Sequence, residues 1–83
     1  MNAIRIFTKS HCPYCVAAKE LLKAKKYAYE EISVEEHPEE FFTLVEEHNH
    51  RTVPMIFIGE TFVGGFDSLK KLNDEGKLNQ MMI

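Results

Sequence analysis

The spacing of apolar residues divides the first part of the chain into a strand, a helix and a second strand. Ile4–Thr8 is a β-branched and aromatic run, typical of a strand that is buried on at least one face. Apolar residues then recur at helical spacing over 13–26, starting at a proline, which suits the first helical position because its missing N–H would be unpaired there. Residues 27–34 again have strand character, although Glu30 and Glu31 interrupt the alternation and leave the register open.

The middle of the chain predicts a helix with one apolar face. Residues 38–50 begin at a proline and carry two glutamates in the first turn, where carboxylates interact favourably with the positive end of the helix dipole. The predicted apolar face consists of Phe41, Phe42, Leu44 and Val45. We expect the phenylalanines of this helix in the core. We expect three histidines to be exposed to solvent: His37, His48 and His50.

Two strands and a helix complete the predicted fold. Residues 54–58 are the most apolar run, and Gly59-Glu60 joins them to a short run at 61–63, a spacing typical of a hairpin. A third helix is predicted from Phe66 or Asp67 to about residue 75, and 78–83 form a last helical turn. Because a strand–helix–strand unit makes a parallel pair and a hairpin adds antiparallel strands, the order β-α-β-α-β-β-α predicts an α/β fold with a mixed sheet.

Length and composition indicate one globular domain, residues 1–83. Apolar residues make up 45% and charged residues 28%, the balance of an ordinary soluble protein. A net charge of −3 provides no basic surface for nucleic acid or for a membrane. No segment is long and apolar enough for a signal core or a membrane span, and two cysteines are too few for a secreted disulfide scaffold. We therefore expect a soluble protein of a reducing compartment, by default the cytoplasm.

The candidate chemistry lies between the first strand and the first helix, in the sequence Cys12-Pro13-Tyr14-Cys15, which holds the only two cysteines. With Pro13 as the first helical residue, Cys12 is the N-cap, where unpaired backbone amides and the helix dipole favour a thiolate. Cys15 lies three residues further on the same face, so the two sulfurs can form a disulfide. The pattern predicts a redox dithiol in which the more exposed Cys12 attacks and Cys15 resolves.

A stabilised thiolate at Cys12 suits the transfer of disulfides. Lowering the pKa of a thiol raises its thiolate fraction but reduces its nucleophilicity, so the main gain is as a leaving group. Lys9 is the nearest candidate cation to assist. The residues leave two other interpretations open. One is a zinc site completed by His48 and His50, whose spacing is unusual for zinc; the other is a pair of buried structural cysteines.

Three ordered motifs give the sequence a family resemblance. Cys12-Pro13-Tyr14-Cys15 follows a strand that ends Phe7-Thr8-Lys9, and Thr52-Val53-Pro54 and Gly64-Gly65-Phe66-Asp67 come later in the chain. With these motifs the chain resembles a dithiol glutaredoxin of the bacterial type over essentially its whole length. The resemblance implies a thioredoxin fold, in which a four-stranded mixed sheet is flanked by three helices, and a cis peptide bond at Val53-Pro54.

The resemblance also implies glutathione as co-substrate, with no permanently bound cofactor and no metal. The backbone of Val53 is expected to pair with the cysteinyl part of glutathione, and Tyr14 to line the groove beside the mixed disulfide. Lys9 and Arg51 are assigned to the glycyl carboxylate. The remaining groove residues implied are Thr52, Pro54, Gly65, Phe66, Asp67 and Ser68, of which the last four hold the γ-glutamyl end. These groups match the two carboxylates and one ammonium of glutathione.

Phe66 departs from the family pattern, in which a smaller or polar residue usually follows Gly-Gly. It is similar to the Ser-Gly-Phe segment of glutaredoxin-like carriers that thioredoxin reductase reduces, although Asp67-Ser68 replaces their Arg-Pro. The resemblance implies a monomeric, glutathione-dependent thiol–disulfide oxidoreductase that acts on disulfide-containing or glutathionylated proteins. The alternatives are a carrier fed by thioredoxin reductase and a module that shares an iron–sulfur cluster between two monomers. Such modules usually have smaller residues than Pro-Tyr between the cysteines.

Overall fold

Four strands and four helices make up the computed structural model, which describes residues 3–82. In chain order they are β1 (Ile4–Thr8), α1 (Pro13–Ala24), β2 (Glu30–Ser33), α2 (Pro38–His48), β3 (Met55–Ile58), β4 (Thr61–Gly64), α3 (Phe66–Asp74) and α4 (Lys77–Met81). The predicted order is confirmed, and the expected last helical turn is a fourth, short helix. None of the helices within residues 3–82 has the length and apolar character needed to cross a membrane.

The strands form one mixed sheet in the order β2-β1-β3-β4. β1 pairs in parallel with β2, with Arg5 opposite Glu30, and antiparallel with β3. The hairpin between β3 and β4 turns at Gly59, whose φ of 61° lies in the left-handed region that glycine adopts without strain. β1 is therefore an inner strand, and the chain leaving it carries the two cysteines to the middle of one end of the sheet.

One face of the sheet packs against α1, α3 and α4. The buried residues of this layer are Ile4, Ile6, Ala18, Leu22, Ile56, Ile58, Leu69, Leu78 and Met82. Ile4 and Ile6 share this face because alternate residues of a strand point the same way. Ala18 and Leu22 are both fully buried and fix α1, which carries the cysteines at its start, against the sheet.

The opposite face of the sheet packs against α2. Its core consists of Phe7, Met55 and Phe57, covered by residues that include Phe41, Leu44, Val45 and Phe62. The expectation that Phe42 belongs to this core was wrong, because 64% of it is exposed. Residues 41, 44, 45 and 48 share one side of a helix with 3.6 residues per turn, and position 42 is rotated by about 100° from position 41.

The histidines at the end of α2 also differ from expectation. The ring of His48 stacks on Phe62 with centroids 4.4 Å apart, and the ring of His50 meets Phe62 edge-on at 5.4 Å. Both histidines are half-buried, whereas His37 is exposed as predicted. The ring of His48, the last residue of α2, and the ring of His50 just beyond it therefore both contact Phe62 of β4.

The second strand is shorter than the predicted 27–34. Lys26 has a left-handed backbone (φ 62°) that ends α1, and the Tyr27 N–H donates to the Leu22 carbonyl at 3.0 Å. Tyr27 therefore packs on the core without joining the sheet. The first residue pair between the parallel strands β1 and β2 is Arg5 opposite Glu30, so β2 begins at Glu30.

Candidate active site

The loop after β1 delivers Cys12 to the start of α1. Cys12 is the N-cap, with an extended backbone (φ −115°, ψ 100°), and Pro13 is the first helical residue. The N–H of Cys15 donates to Cys12 Sγ at 3.2 Å, and the N–H of Val16 donates to the Cys12 carbonyl at 3.1 Å. The predicted N-cap geometry is confirmed: a backbone amide that would be unpaired at the helix start points at the sulfur.

A disulfide joins Cys12 and Cys15 across the first turn of α1. Their Cα atoms are 5.2 Å apart, within the range that disulfides span. Cys12 keeps 9% of its surface exposed and Cys15 keeps 2%. A sulfur that arrives from solvent therefore meets Cys12 first, which is the order of exposure that the sequence predicts.

A groove of about 480 Å³ adjoins the disulfide. Its lining comes from the start of α1, the loop before β3 and the start of α3, and consists of Tyr14, His50, Thr52, Val53, Pro54, Gly65, Phe66, Asp67 and Ser68. The Val53-Pro54 peptide bond is cis, as the family resemblance implies, and the Val53 carbonyl oxygen is 3.9 Å from Cys12 Sγ. The fold thus brings together eight of the ten residues predicted to bind glutathione, all except Lys9 and Arg51.

Lys9 and Arg51 line other clefts. Lys9 belongs to a cleft of about 630 Å³ that contains Cys12 and Cys15 and is lined partly by charged residues such as Lys19. Arg51 lines a cleft of about 280 Å³ beside α2. The family resemblance assigns both residues to the glycyl carboxylate, but it does not determine the direction of a loop side chain. Their role in binding stays a prediction.

Two carboxylates anchor the loop that carries Cys12. Thr8 Oγ1 donates to Glu31 Oε2 at 2.7 Å, and Lys19 Nζ donates to the same oxygen at 2.9 Å. The hydrogen bond from Thr8, followed by that from Lys19, holds the pKa of Glu31 below its usual value of 4.5. The Ser10 hydroxyl and N–H donate to Glu35 Oε1 at 2.8 and 3.2 Å and lower the pKa of that carboxyl in the same way. The segment between β1 and α1 is therefore tied to β2 and to the turn that follows it.

His50 is the groove residue that the sequence reasoning missed. Its Nε2 lies 3.3 Å from Thr52 Oγ1, and its Cε1 lies 3.7 Å from where a Cβ on Gly65 would be. The sequence feature that could have placed His50 in the groove is its position two residues before the motif Thr52-Val53-Pro54. Over the described range 3–82, no group of three or more His, Cys, Asp and Glu side chains is arranged to hold a metal ion. His48 and His50, the partners considered for zinc, pack their rings on Phe62 instead.

Two aromatic rings form one side of the groove. The rings of Tyr14 and Phe66 stack with centroids 6.2 Å apart and planes inclined by 30°. Tyr14 is 64% exposed, whereas Phe66 is half-buried and also packs on the core below. We call this pair the aromatic wall.

A mixed four-stranded sheet between helices, with a Cys-x-x-Cys pair at the start of the first helix, defines the thiol–disulfide oxidoreductases of the thioredoxin fold. Comparison with known proteins identifies the family within this class. The glutaredoxin family profile matches residues 4–63. The glutaredoxin of Neisseria meningitidis serogroup A is 42% identical over 83 residues, which cover 99% of this chain and 98% of that protein. The chain belongs to the glutaredoxin family.

Solved structures agree with this assignment. The crystal structure of a buckwheat glutaredoxin–glutathione complex matches with a TM-score of 0.90 at 31% identity, over 96% of this chain and 76% of the buckwheat chain. The solution structure of a Brucella melitensis glutaredoxin matches with a TM-score of 0.85 at 42% identity, over 98% of this chain and 88% of that one. The thioredoxin fold and the family predicted from the motifs are thus both confirmed.

Proposed function

We propose that the protein uses glutathione to reduce protein disulfides and glutathione mixed disulfides in the cytoplasm, acting as a monomer with residues 1–83 as one domain. One observation carries the proposal: Cys12 Sγ accepts the Cys15 N–H at the start of α1 and lies 3.9 Å from the Val53 carbonyl at the edge of the groove. An activated sulfur therefore adjoins a groove suited to a cysteinyl ligand. The buckwheat relative, solved as a glutathione complex, supports glutathione as that ligand.

Cys12 is the attacking sulfur in this proposal. In the reduced protein its thiolate attacks one sulfur of a substrate disulfide, a new disulfide forms to Cys12, and the other substrate sulfur leaves as a thiolate. Deprotonated Cys15 then attacks Cys12 Sγ, which releases the second substrate thiolate and leaves the Cys12–Cys15 disulfide. The substrate gains two electrons and the dithiol loses two.

Glutathione returns the protein to its reduced form. One glutathione thiolate attacks Cys12 Sγ, which forms a mixed disulfide and releases the Cys15 thiolate. A second glutathione thiolate attacks the sulfur of the bound glutathione, and Cys12 leaves as a thiolate together with one oxidised glutathione. The hydrogen bond from the Cys15 N–H stabilises the departing Cys12 thiolate, which makes it a good leaving group.

The groove offers matching groups for glutathione. The backbone of Val53, between Thr52 and the cis-bonded Pro54, pairs with the cysteinyl part, and Tyr14 covers the mixed disulfide. The start of α3 takes the γ-glutamyl end, because its N-cap is a glycine without a capping side chain, so its amides are open to a carboxylate. Asp67 in the first turn takes the ammonium. The residues assigned to this end are Gly65, Phe66, Asp67 and Ser68, and the cations assigned to the glycyl carboxylate are Lys9 and Arg51.

The test is turnover of a glutathione mixed disulfide, coupled to glutathione reductase and, in a separate assay, to thioredoxin reductase. We expect turnover with glutathione and glutathione reductase. Turnover with thioredoxin reductase alone would instead favour the second candidate, a carrier fed by that enzyme, for which Phe66 in the groove is the observation in favour.

Two cysteine variants separate the steps of the mechanism. Cys15→Ser should keep reduction of glutathione mixed disulfides and lose most reduction of protein disulfides, because only the second reaction needs an internal resolving thiol. Cys12→Ser should lose both activities. Full activity in Cys12→Ser would refute the proposed roles of the two cysteines.

A further inference from the structure

Among the described residues that line the groove, only His50 can gain a positive charge near neutral pH. Apart from the aromatic wall, the lining includes two groups that can carry charge, the imidazole of His50 and the carboxylate of Asp67. Lys9 and Arg51 line other clefts. An imidazole is the side chain whose charge changes between about pH 5 and 8, so the charge of the groove depends on His50 in that interval.

Three distances place the imidazole of His50 beside the start of α3. Its Nε2 lies 3.3 Å from Thr52 Oγ1, and its ring meets Phe62 edge-on with centroids 5.4 Å apart. Its Cε1 and Nε2 lie 3.7 and 4.0 Å from where a Cβ on Gly65, the N-cap of α3, would be. The ring is therefore packed against the backbone at which the helix begins.

The start of α3 is also where glutathione would place a carboxylate. Gly65 provides no capping side chain, so the first amides of α3 are open to an anion, and the helix dipole adds to this preference. A protonated imidazole next to Gly65 puts a full positive charge at the same place. Because hydrogen bonds between charged groups are stronger than those between neutral ones, protonation of the ring strengthens the binding of a carboxylate there.

We propose that His50 makes the recognition of the γ-glutamyl carboxylate of glutathione pH-dependent, with stronger recognition when the imidazole is protonated. The inference rests on the proposed function, because it takes glutathione as the ligand and the start of α3 as the site of its γ-glutamyl end. His50 is a specificity-determining residue in this inference and takes no part in electron transfer. It favours glutathione over thiols that lack this carboxylate, and the preference grows as the pH falls.

The other charged and titratable groups around His50 have different positions or partners. From α1 the groove receives the phenol of Tyr14, and from α3 the carboxylate of Asp67, which is assigned to the ammonium of glutathione. Within residues 3–82, no ion pair joins Asp67 to His50. Of the neighbours along the chain, Arg51 lines a cleft beside α2 and the ring of His48 stacks on β4. His50 is therefore the group that adds positive charge at the start of α3 when the pH falls.

The experiment compares two mixed disulfides of one peptide, formed with glutathione or with N-acetylcysteinylglycine. The second compound keeps the cysteinyl and glycyl parts but lacks the γ-glutamyl carboxylate and ammonium. Release of the peptide thiol by the reduced protein is measured as a second-order rate constant at about pH 5.5 and about pH 8, on either side of the imidazole titration. The ratio of the two rate constants is the measured quantity, because the reactivity of Cys12 and the folded fraction of a variant cancel in it.

Two histidine variants decide the outcome. In the wild type the ratio should be about twofold to fivefold larger at the lower pH, the scale of an ion pair at a partly exposed site. His50→Gln can still bond to Thr52 but gains no charge, so its ratio should be equal at both pH values. His48→Gln is the matched control, because the ring of His48 also contacts Phe62 but does not line the groove, and it should keep the wild-type pH dependence.

Three results overturn the inference. They are a wild-type ratio that does not change with pH, a pH dependence that persists in His50→Gln, and an equal loss of pH dependence in His48→Gln. The last result would assign the effect to the pair of imidazole rings on Phe62 instead of to the groove.

Failure of the inference is distinguishable from failure of the proposed function. If the wild-type protein prefers the glutathione mixed disulfide by the same factor at both pH values, the role of His50 is refuted and the proposed function stands. If it shows no preference for that substrate at either pH, recognition of glutathione by the groove is refuted, and the proposed function and the inference fail together.

Discussion

Replacing Gly64 with alanine tests how the start of α3 is held at the groove. Gly64 ends β4 with φ +114°, a conformation that residues with a side chain rarely adopt, and an added Cβ would lie 3.1 Å from Ser68 Oγ. A residue held in such a region costs about 1–3 kcal/mol, and the hydroxyl of Ser68 can rotate away to relieve the close contact. We expect the free energy of unfolding to fall by about 2 kcal/mol. For a domain of this size, that corresponds to a Tm lower by about 8–16 °C.

Gly76→Ala is the matched control. Gly76 also has a positive φ of +76°, but no atom lies within 4 Å of the position of its Cβ, so alanine there bears the backbone penalty alone, about 1 kcal/mol. Urea unfolding of both oxidised variants, followed by far-UV circular dichroism, measures the two free energies. Gly64→Ala should also lose activity on a glutathione mixed disulfide, because the backbone at position 64 can leave φ +114° only by moving the start of α3, which follows at Phe66. If Gly64→Ala costs no more than Gly76→Ala, the backbone conformation of Gly64 is not what places α3.

Three further predictions concern the hydrogen bonds of Glu31, the buried core residue Leu22, and the cations Lys9 and Arg51. Glu31→Gln should lower the free energy of unfolding by about 0.5 kcal/mol at pH 7, because Glu31 is 41% exposed and its hydrogen bonds from Thr8 and a lysine are screened by solvent. The pKa of Glu31 is lowered in the folded protein, so this contribution is present above the unfolded pKa of 4.5 and is lost as the pH falls through the folded pKa. The urea midpoints of wild type and variant should therefore converge progressively as the pH is lowered below 4.5. Leu22→Ala, at a fully buried site, should cost about 2–5 kcal/mol in the same unfolding assay, and a cost under 1 kcal/mol would contradict its place in the core. Lys9→Gln should raise the KM for glutathione about threefold or more if Lys9 binds a carboxylate. Lys9 lines the cleft that contains both cysteines, whereas Arg51 lines a cleft beside α2, so Arg51→Gln should have the smaller effect. The reverse order would show that Arg51 turns into the groove.

The features that sequence predicted well are those decided by local pattern. Pro13 and the apolar spacing after it define the start of α1, and the N-cap position of Cys12 follows from that start. The hairpin follows from two apolar runs joined at Gly59. The family resemblance carried by the three motifs then places the loop before β3 and the start of α3 beside the dithiol, where the groove is found.

The features that sequence did not predict depend on partners distant in the chain. Positions 41 and 42 are both phenylalanine, so the residue type does not tell which one faces the core. The rotation of α2 about its axis relative to the sheet decides that Phe41 packs inward and Phe42 faces outward. The start of β2 is set by the first partner residue on β1. His50 was assigned to solvent because the ring of Phe62, which it meets, belongs to a strand beyond the next turn. The directions of Lys9 and Arg51 are set by loop backbones that no periodicity describes.

The sheet ends on both sides in a strand of four residues, β2 on one edge and β4 on the other. An open edge is a template for pairing with another chain, and proteins guard it with short strands and charged side chains. β2 begins with the adjacent glutamates Glu30 and Glu31, which interrupt the alternation of apolar and polar residues expected of a strand. The same two residues place negatively charged side chains on the edge strand that a second sheet would have to approach. Charged side chains on so short an edge strand disfavour pairing with a second sheet, and the same side chains weaken the strand signal in the sequence.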